Sequence, residues 1–202
     1  MKTKPTQYAV RSMNAAGIQP DIIIASSDVP IDEPRKRKLA LFCNVHVEDV
    51  ISAPDVQSIY EVPVNFEKDG LGNRIIEKFG LRQRKRDLGD WKSFVRRIHR
   101  AKKPVKIGIV GKYFETGNFT LADSYISVIE ALKHSSWHHN RKPELTWLDA
   151  EAYERRPSAL KELSQFDGIV VPGGFGGRGI EGKIKAIEYV RKHKIPYLGL
   201  CY

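Results

Sequence analysis

Four short, nearly continuous apolar runs occur within residues 105–202, and no other feature of the sequence constrains the fold as strongly. Such runs, bounded by glycine, proline and polar turn residues, are typical of parallel strands that are covered on both faces. Two amphipathic stretches predict helices between them, because their apolar residues recur every three or four positions. The alternation predicts a doubly wound parallel sheet. Strands are expected at 105–113, 145–148, 168–171 and 197–200, and helices at 120–134 and 181–193.

Residues 1–81 contain a second alternation of strands and helices with shorter apolar runs. The run Ile22-Ile23-Ile24 precedes a Ser-Ser-Asp turn, which indicates a buried parallel strand. In the helix predicted after it, one face is shared by Lys36, Leu39, Ala40 and Cys43. Strands are expected at 21–25 and 50–52, and helices at 8–16, 34–42 and 64–79.

Positive charge is concentrated in one segment. Residues 82–106 carry eleven Lys and Arg against two Asp, which accounts for nearly all of the net charge of +10. Basic segments can bind polyanions, but this one holds a single Trp and a single Phe and no RNA-binding signature. We interpret it as a solvated linker with one helix. The predicted fold is therefore α/β, with parallel doubly wound sheets in two partial domains, 1–81 and 105–202, joined by a basic helical linker at 82–104.

The composition excludes several classes of protein. No apolar run approaches the roughly 20 residues that span a bilayer, and no secretory signal follows Met1. Cys43 and Cys201 lie far apart and no zinc-type spacing occurs, so we expect a reducing, cytoplasmic environment rather than a disulfide scaffold. Because the last predicted strand has no helix after it, we expect the 202-residue chain to be a piece of a longer polypeptide.

Cys201 directly follows the fourth predicted strand. A sharp turn at the end of a strand can expose a nucleophile above a parallel sheet, and a helix N-terminus there favours the thiolate. The alternative is a buried core cysteine, which is common for a lone Cys. The residues around Cys201 leave both interpretations open.

A glycine-rich loop at 172–179 follows the third predicted strand and has five glycines in eight positions. Its backbone N–H groups can stabilise an oxyanion, although a flexible turn or a phosphate cradle has a similar composition. A P-loop is excluded because no Gly-Lys-Ser/Thr follows at the required spacing. Since this loop and Cys201 end successive strands, we expect them to lie together, as acyl transfer from an amide requires.

These motifs resemble a known family. Residues 171–176, with Gly199-Leu200-Cys201 after one helix, resemble the class I glutamine amidotransferase domain. The longer run 174–183 resembles the version of that domain found in the CTP synthase family. Three further stretches are similar to the CTP synthase family in order and spacing, so that the resemblance covers essentially the whole chain. They are 2–7, 51–60, and 110–113 with 123–132.

The resemblance implies part of a ligase. Residues 1–81 would be the end of the ammonia-ligase domain, and 105–202 the first half of the glutaminase domain. The family makes CTP from UTP in pyrimidine biosynthesis: ATP phosphorylates the uracil 4-oxygen, and ammonia released from glutamine displaces that phosphate. The family uses Mg²⁺ with ATP, is activated by GTP, is inhibited by CTP and works as a cytoplasmic homotetramer.

The resemblance also places some parts of the enzyme outside these residues, namely the ATP P-loop, the metal ligands and the His-Glu pair of the glutaminase. The chain alone is therefore expected to be inactive, and no membrane or nucleic-acid partner is expected. Two alternatives stay open. One is another class I glutamine amidotransferase, and the other is a non-catalytic basic module that binds nucleic acid.

The resemblance carries individual site residues over to this sequence. Cys201 would be the nucleophile, and Gly174 and Tyr202 would bind glutamine and its oxyanion. Without the resemblance, Lys2, Lys4 and Lys38 would be interpreted as surface charges, and residues 54–56 as a plain turn after a strand. The UTP or CTP site would comprise Lys2, Thr3, Lys4, Pro5, Thr6, Gln7 and Lys38, and the ATP site Pro54, Asp55 and Val56.

The sequence departs from the family in two places. Tyr202 follows the nucleophile where the family usually has Leu, and the connection at 115–123 is longer than usual. The contacts of that connection with glutamine are therefore not carried over. Four histidines are interpreted as surface residues rather than as the base of a catalytic triad: His134, His138, His139 and His193.

Overall fold

The computed structural model describes residues 2–82, 87–111, 115–116, 119–120, 125–174 and 176–201. The chain divides into two compact units, Met1–Val95 and Arg96–Tyr202. Each unit contains its own parallel sheet, so the predicted α/β class with parallel sheets is confirmed. None of the helices in the described ranges has the length and apolar character needed to cross a membrane.

Two parallel strands form the centre of the first unit. Its elements are α1 Lys4–Ala15, β1 Ile23–Ser27, α2 Glu33–Cys43, β2 Val50–Pro54, α3 Val62–Lys68, α4 Leu71–Lys78 and the first part of α5 Gly89–Arg100, with 3₁₀ turns at Val47–Asp49 and Ile59–Glu61. β1 pairs with β2 in a register that sets Ile23 opposite Val50. Both strands form one core with the inner faces of α1 and α2.

Local sequence explains where these helices differ from the prediction. α1 begins at Lys4, earlier than the predicted start, because Pro5 suits the first helical turn. The helix predicted at 64–79 is two helices, α3 and α4, separated by a turn in which Gly70 N–H donates to the Glu67 carbonyl at 3.1 Å. In α2, Leu39, Ala40 and Cys43 are buried, as their spacing predicts.

The basic segment contains the predicted helix, which is α5, while residues 83–86 lie outside the described residues. The boundary between the two compact units falls within α5, after Val95. The Trp91 indole N–H donates to the Tyr60 carbonyl at 2.8 Å, so the start of α5 is held to the first unit. The domain boundaries at 81/82 and 104/105 stay predictions.

A buried carboxylate anchors α4. Asp49 is completely buried, and its two oxygens lie 2.9 Å from Arg74 Nε and 2.8 Å from Lys78 Nζ. Burial acts to raise the pKa of Asp49, but hydrogen bonds and charges from Lys78 and Arg74 outweigh it and hold that pKa below its ordinary value. The carboxylate therefore stays ionised and ties α4 to the turn before β2.

The second unit is a four-stranded parallel sheet with the order β6-β3-β7-β8. Its elements are β3 Lys103–Gly111, β4 Glu115–Thr116, β5 Phe119–Thr120, α6 Ile126–His138, β6 Arg141–Asp149, α7 Ala150–Arg155, β7 Gly168–Val171, α8 Ile180–Lys192 and β8 Tyr197–Gly199, with a 3₁₀ helix at Pro157–Gln165. β4 and β5 form a separate antiparallel pair. The strand predicted at 168–171 is confirmed at both ends.

Side chains on the two faces of this sheet enter different cores, since successive strand residues point in opposite directions. Ile109 packs with Tyr125 and the apolar face of α6. The next residue, Val110, packs in the other core, which α7 and α8 cover. Helices therefore lie on both faces, as the nearly continuous apolar runs predicted.

Three elements of the second unit were not predicted: α7, the 3₁₀ helix and the β4–β5 pair. The signal for α7 is Asp149, whose side chain accepts a hydrogen bond from Glu151 N–H as an N-cap. The prediction of a helix from residue 120 is wrong at its start, because Thr120 belongs to β5 and α6 begins at Ile126. Residues 112–113 and 121–124 lie outside the described residues.

α7 and α8 approach each other unusually closely at Gly182. A β-carbon built on Gly182 would lie 1.7 Å from the carbonyl oxygen of Ala150. The absence of a side chain at Gly182 thus sets the distance between α8 and the start of α7. This contact fixes the helix that precedes β8.

We expect Gly182→Ala to lower the free energy of unfolding by roughly 2–3 kcal/mol, because one of the two helices must move to accommodate the methyl group. The loss should occur although alanine favours a helix over glycine by about 1 kcal/mol. Urea denaturation measures the change. The matched control is Gly177→Ala, since a β-carbon there has no neighbour within 4 Å. Equal stability of both variants would contradict the close approach.

We expect Asp49→Asn to cost about 3 kcal/mol at neutral pH, because Arg74 and Lys78 would lose a buried carboxylate. Since the folded pKa of Asp49 lies below the unfolded value of about 3.9, its stabilisation is complete above that value and is lost as the pH falls through the folded pKa. Urea denaturation at neutral and acidic pH should therefore show the wild type and variant converging below about pH 4.

The control for this pH series is Glu77→Gln, which removes an exposed carboxylate that pairs with the same Arg74 at 3.4 Å. Exposed ion pairs contribute about 0–1 kcal/mol, so this variant should resemble the wild type throughout. A difference between Asp49→Asn and wild type that does not depend on pH would mean that the charge of Asp49 is not what stabilises the unit.

Candidate active and nucleotide sites

β7 and β8 bring the glycine loop and Cys201 to the same edge of the sheet. The two strands are parallel neighbours, and Val171 at the end of β7 lies opposite Gly199 at the end of β8. Leu200 N–H donates to the Val171 carbonyl at 3.0 Å, which continues the pairing one residue further. The segments after both strands therefore leave the sheet side by side, as the sequence predicts.

The glycine loop touches the thiol. A β-carbon built on Gly173 would lie 2.6 Å from Cβ and 3.1 Å from Sγ of Cys201. Only a residue without a side chain permits this approach. Gly174, the predicted oxyanion residue, lines the same cavity as Cys201, whereas Phe175 and Tyr202 lie outside the described residues.

Cys201 is exposed and forms no disulfide, which favours the nucleophile over the buried core cysteine, and its role stays a prediction. Its φ of +64° is in the left-handed region, which costs a non-glycine residue about 1–2 kcal/mol. Such strain is typical of a nucleophile at a sharp turn after a strand. Cys43 also forms no disulfide, but it is fully buried in the first unit, and burial raises the pKa of its thiol.

The cavity in front of Cys201 has a volume of about 500 Å³ and is mostly apolar. α8 forms one wall with Ile180, Lys183, Ile184 and Ile187. Lys183 donates from Nζ to the Pro172 carbonyl at 2.5 Å, which connects α8 to the glycine loop. Sequence reasoning did not assign Lys183 a role, because its partner is a backbone atom eleven residues away.

A second cavity, of about 710 Å³, lies in the first unit and collects most of the residues predicted for UTP or CTP. Nothing local in the sequence pairs Lys38 with the N-terminal lysines, yet the fold places all of them on one cavity. Thr6 and Gln7 are not among its lining residues, although Gln7 Nε2 donates to Thr3 Oγ1 at 3.2 Å and so supports the turn. The lining is Lys2, Thr3, Lys4, Pro5, Tyr8, Pro34, Arg35 and Lys38.

Two helix N-termini meet at this second cavity, since α1 begins at Lys4 and α2 at Glu33. The start of α1 has no side-chain cap, and helix N–H groups and the helix dipole attract anions there. The start of α2 is already capped by Asp32, whose side chain accepts a hydrogen bond from Arg35 N–H at 3.0 Å. Lys2, Lys4 and Lys38 are exposed and add positive charge at the same place. The cavity therefore suits a polyanionic ligand such as a triphosphate.

Sequence reasoning missed Arg35 in the second cavity. It belongs to four consecutive basic residues, 35–38, which the sequence alone does not separate. The fold separates them, because residues three apart on a helix share a face. Arg35 and Lys38 line the cavity, and Arg35 also pairs with Asp32. Arg37 pairs with Glu33 at 3.0 Å and Lys36 pairs with Asp69 at 3.2 Å, and neither lines the cavity.

The residues predicted for ATP lie at the end of β2. Asp55 N–H donates to the Ser27 carbonyl at 3.0 Å, so this segment runs beside the end of β1. Asp55 is exposed, and Pro54 and Val56 are half-buried. None of the three is among the residues that line the lysine cavity.

None of the four histidines discussed above lines the cavity in front of Cys201. His134, His138, His139 and His193 are exposed, which confirms their interpretation as surface residues. Within the described ranges, no group of three or more His, Cys, Asp or Glu side chains is placed to hold a metal ion.

Two segments of the chain match known protein families. Residues 1–81 match the family described as CTP synthase N-terminus, and residues 120–202 match glutamine amidotransferase class-I. The CTP synthase of Carboxydothermus hydrogenoformans is 48% identical over 201 residues, which cover 100% of this chain and 36% of that protein. The CTP synthase of Methanocaldococcus jannaschii is 47% identical over 206 residues, covering 100% of this chain and 37% of that protein.

A solved structure of the glutaminase domain of a Trypanosoma brucei CTPS with bound acivicin is 37% identical, with a TM-score of 0.42, and covers 47% of this chain and 35% of that one. The chain spans a little over a third of the length of the curated relatives it matches. Nearly half of its residues are identical to those of these CTP synthases along its whole length, and residues 1–81 and 120–202 match the two family descriptions given above. The chain therefore belongs to the CTP synthase family.

Proposed function

We propose that these residues supply the glutaminase nucleophile and the pyrimidine-nucleotide site of a ligase that makes CTP from UTP, ATP and glutamine. The observation that carries the proposal is the contact of Cys201 with Gly173, because it sets a strained, exposed thiol against backbone amides. The match of residues 1–81 to CTP synthase N-terminus favours this function over that of another class I amidotransferase.

In the proposed glutaminase reaction, Sγ of Cys201 attacks the side-chain carbonyl carbon of glutamine. The backbone N–H groups of Gly174 and Tyr202 stabilise the oxyanion that forms. The C–N bond then breaks, and the nitrogen takes up a proton and leaves as ammonia. Water hydrolyses the remaining thioester, which releases glutamate and restores the thiol. The cavity of about 500 Å³ that Cys201 lines would hold the substrate.

In the proposed ligase reaction, ATP transfers its terminal phosphoryl group to the uracil 4-oxygen, and ammonia displaces that phosphate to give CTP. Lys2, Lys4 and Lys38 bind the triphosphate of UTP, and of CTP when it inhibits, by charge-assisted hydrogen bonds. The backbone of 54–56 meets the adenine of ATP. The family resemblance implies that Mg²⁺ accompanies the nucleotides on residues outside this chain.

Further parts of the proposal are supported by the family resemblance alone and not by contacts in the structure. They are activation by GTP, a homotetrameric assembly and a cytoplasmic location. Binding of nucleic acid by the basic segment is not part of the proposal.

A chimera tests the nucleophile. We would replace the matching 201-residue segment of the Carboxydothermus relative with this chain and measure CTP formation. Cys201→Ala should abolish the reaction with glutamine and leave the reaction with added ammonia within about twofold, because only the first needs the thiol. Cys43→Ala serves as the matched control for removal of a thiol. Equal loss of both reactions in Cys201→Ala would make this cysteine structural.

The same chimera tests the nucleotide site. A charge-assisted hydrogen bond contributes roughly 1.5–3 kcal/mol, so Lys38→Ala should raise the UTP concentration for half-maximal rate about tenfold or more. It should weaken inhibition by CTP in parallel, since both ligands carry the same triphosphate. The matched control is Arg37→Ala, the neighbouring cation on α2 that faces Glu33 instead of the cavity. Indistinguishable UTP dependence in the two variants would make Lys38 an ordinary surface charge.

A further inference from the structure

Two side chains hold successive carbonyl groups of the glycine loop. Lys183 Nζ donates to the Pro172 carbonyl at 2.5 Å, and the Tyr125 hydroxyl donates to the Gly173 carbonyl at 3.5 Å. The first bond is short and the second long. Neither residue belongs to the set that the family resemblance assigned to the site.

The peptide bond transmits the effect of these contacts to the opposite side of the loop. A carbonyl group and the N–H of the next residue share one rigid plane, and in a trans peptide they point in opposite directions. No peptide bond of the described chain is cis. Holding the Pro172 carbonyl therefore sets the direction of Gly173 N–H, and holding the Gly173 carbonyl sets that of Gly174 N–H.

The two anchors are themselves firmly placed and come from opposite faces of the sheet. Tyr125 is buried beside Ile109 in the core that α6 covers. Lys183 is half-buried on α8, in the residue after Gly182, whose close approach to Ala150 fixes that helix against α7. The loop is thus held from both sides at the point where it meets Cys201.

We infer that Lys183 and Tyr125 are positioning residues: by holding the peptide planes on both sides of Gly173, they orient the Gly174 amide toward the oxyanion formed at Cys201. The inference rests on the proposed role of Cys201. Glycine alone would leave these peptide planes free to rotate, and a donor that turns away contributes nothing to the transition state. The lysine acts here through its hydrogen bond to the loop rather than by contact with the substrate.

The test compares two reactions of the same thiolate in the 202-residue chain. With p-nitrophenyl acetate, Sγ attacks the acetyl carbonyl, an oxyanion forms, and p-nitrophenolate leaves with the bonding electron pair to give an acetyl thioester. With iodoacetamide, Sγ displaces iodide from a saturated carbon, and no oxyanion forms. The ratio of the two rate constants therefore reports oxyanion stabilisation, because the fraction of thiolate affects both reactions equally.

We expect Lys183→Met to lower this ratio about tenfold, since removal of an oxyanion donor costs roughly 10²–10³ and here the donor is displaced rather than removed. Tyr125→Phe, which changes no charge, should lower it about threefold, because its bond is long. Lys183→Arg keeps a donor and should recover at least part of the ratio. Iodoacetamide rates should stay within about twofold in all variants, and circular dichroism should show an unchanged fold.

Cys201→Ser separates failure of this inference from failure of the proposed function. If p-nitrophenolate release in the wild type persists in Cys201→Ser, the thiol is not the nucleophile and the proposed function is wrong. If release depends on Cys201 but the ratio is unchanged in Lys183→Met and Tyr125→Phe, the nucleophile stands and the positioning role is overturned. A parallel fall in both rate constants would assign the two residues a merely structural role, which also overturns it.

Discussion

The in-register pairing of β7 with β8 is the constraint on which the candidate glutaminase site depends. Because the strands are parallel and Val171 lies opposite Gly199, the glycine loop and Cys201 emerge at one edge of the sheet. A slip of one residue would turn the side chains of β8 to the opposite face and move the thiol about 3.3 Å along the strand. The contact with Gly173 would then be lost. The helices on both faces hold the register, since each face of the sheet belongs to a different core.

The second cavity, which the lysines line, depends on a different constraint. Its lining is set by the direction in which each basic side chain leaves its helix. Four cations follow one another at 35–38, and the fold uses them for different purposes. Lys36 contacts Asp69, which also accepts a hydrogen bond from Ser52 N–H at 2.9 Å and so ties α2 to β2. Arg35, which also pairs with Asp32, and Lys38 line the cavity together with residues at the start of α1. The convergence of these cations at the start of α1 supports the proposal of an anion site in this cavity.

The sequence was sufficient to predict the strands and the meeting of the glycine loop with Cys201, because both follow from apolar periodicity and from the rule that parallel strands end at one edge. It was insufficient for α7 and the β4–β5 pair, which are too short to show a period. It also could not show that Lys183 holds Pro172, or that Arg35 rather than Arg37 joins the lysines. These contacts depend on distances between helices and loops, such as the approach of Gly182 to Ala150. A local sequence pattern does not determine such distances.

The two sites consequently tolerate change differently. At Cys201 the backbone of the loop lies against the thiol. Any side chain added at Gly173 would place its β-carbon 2.6 Å from the β-carbon of Cys201. This site is set by steric contact and hydrogen bonds that salt does not screen. At the lysine cavity the cations are exposed, and their attraction for an anion falls off over roughly 10 Å at ordinary ionic strength. Such a site gains its specificity from the number of cations that converge, and the loss of one weakens binding without destroying the architecture that places the others.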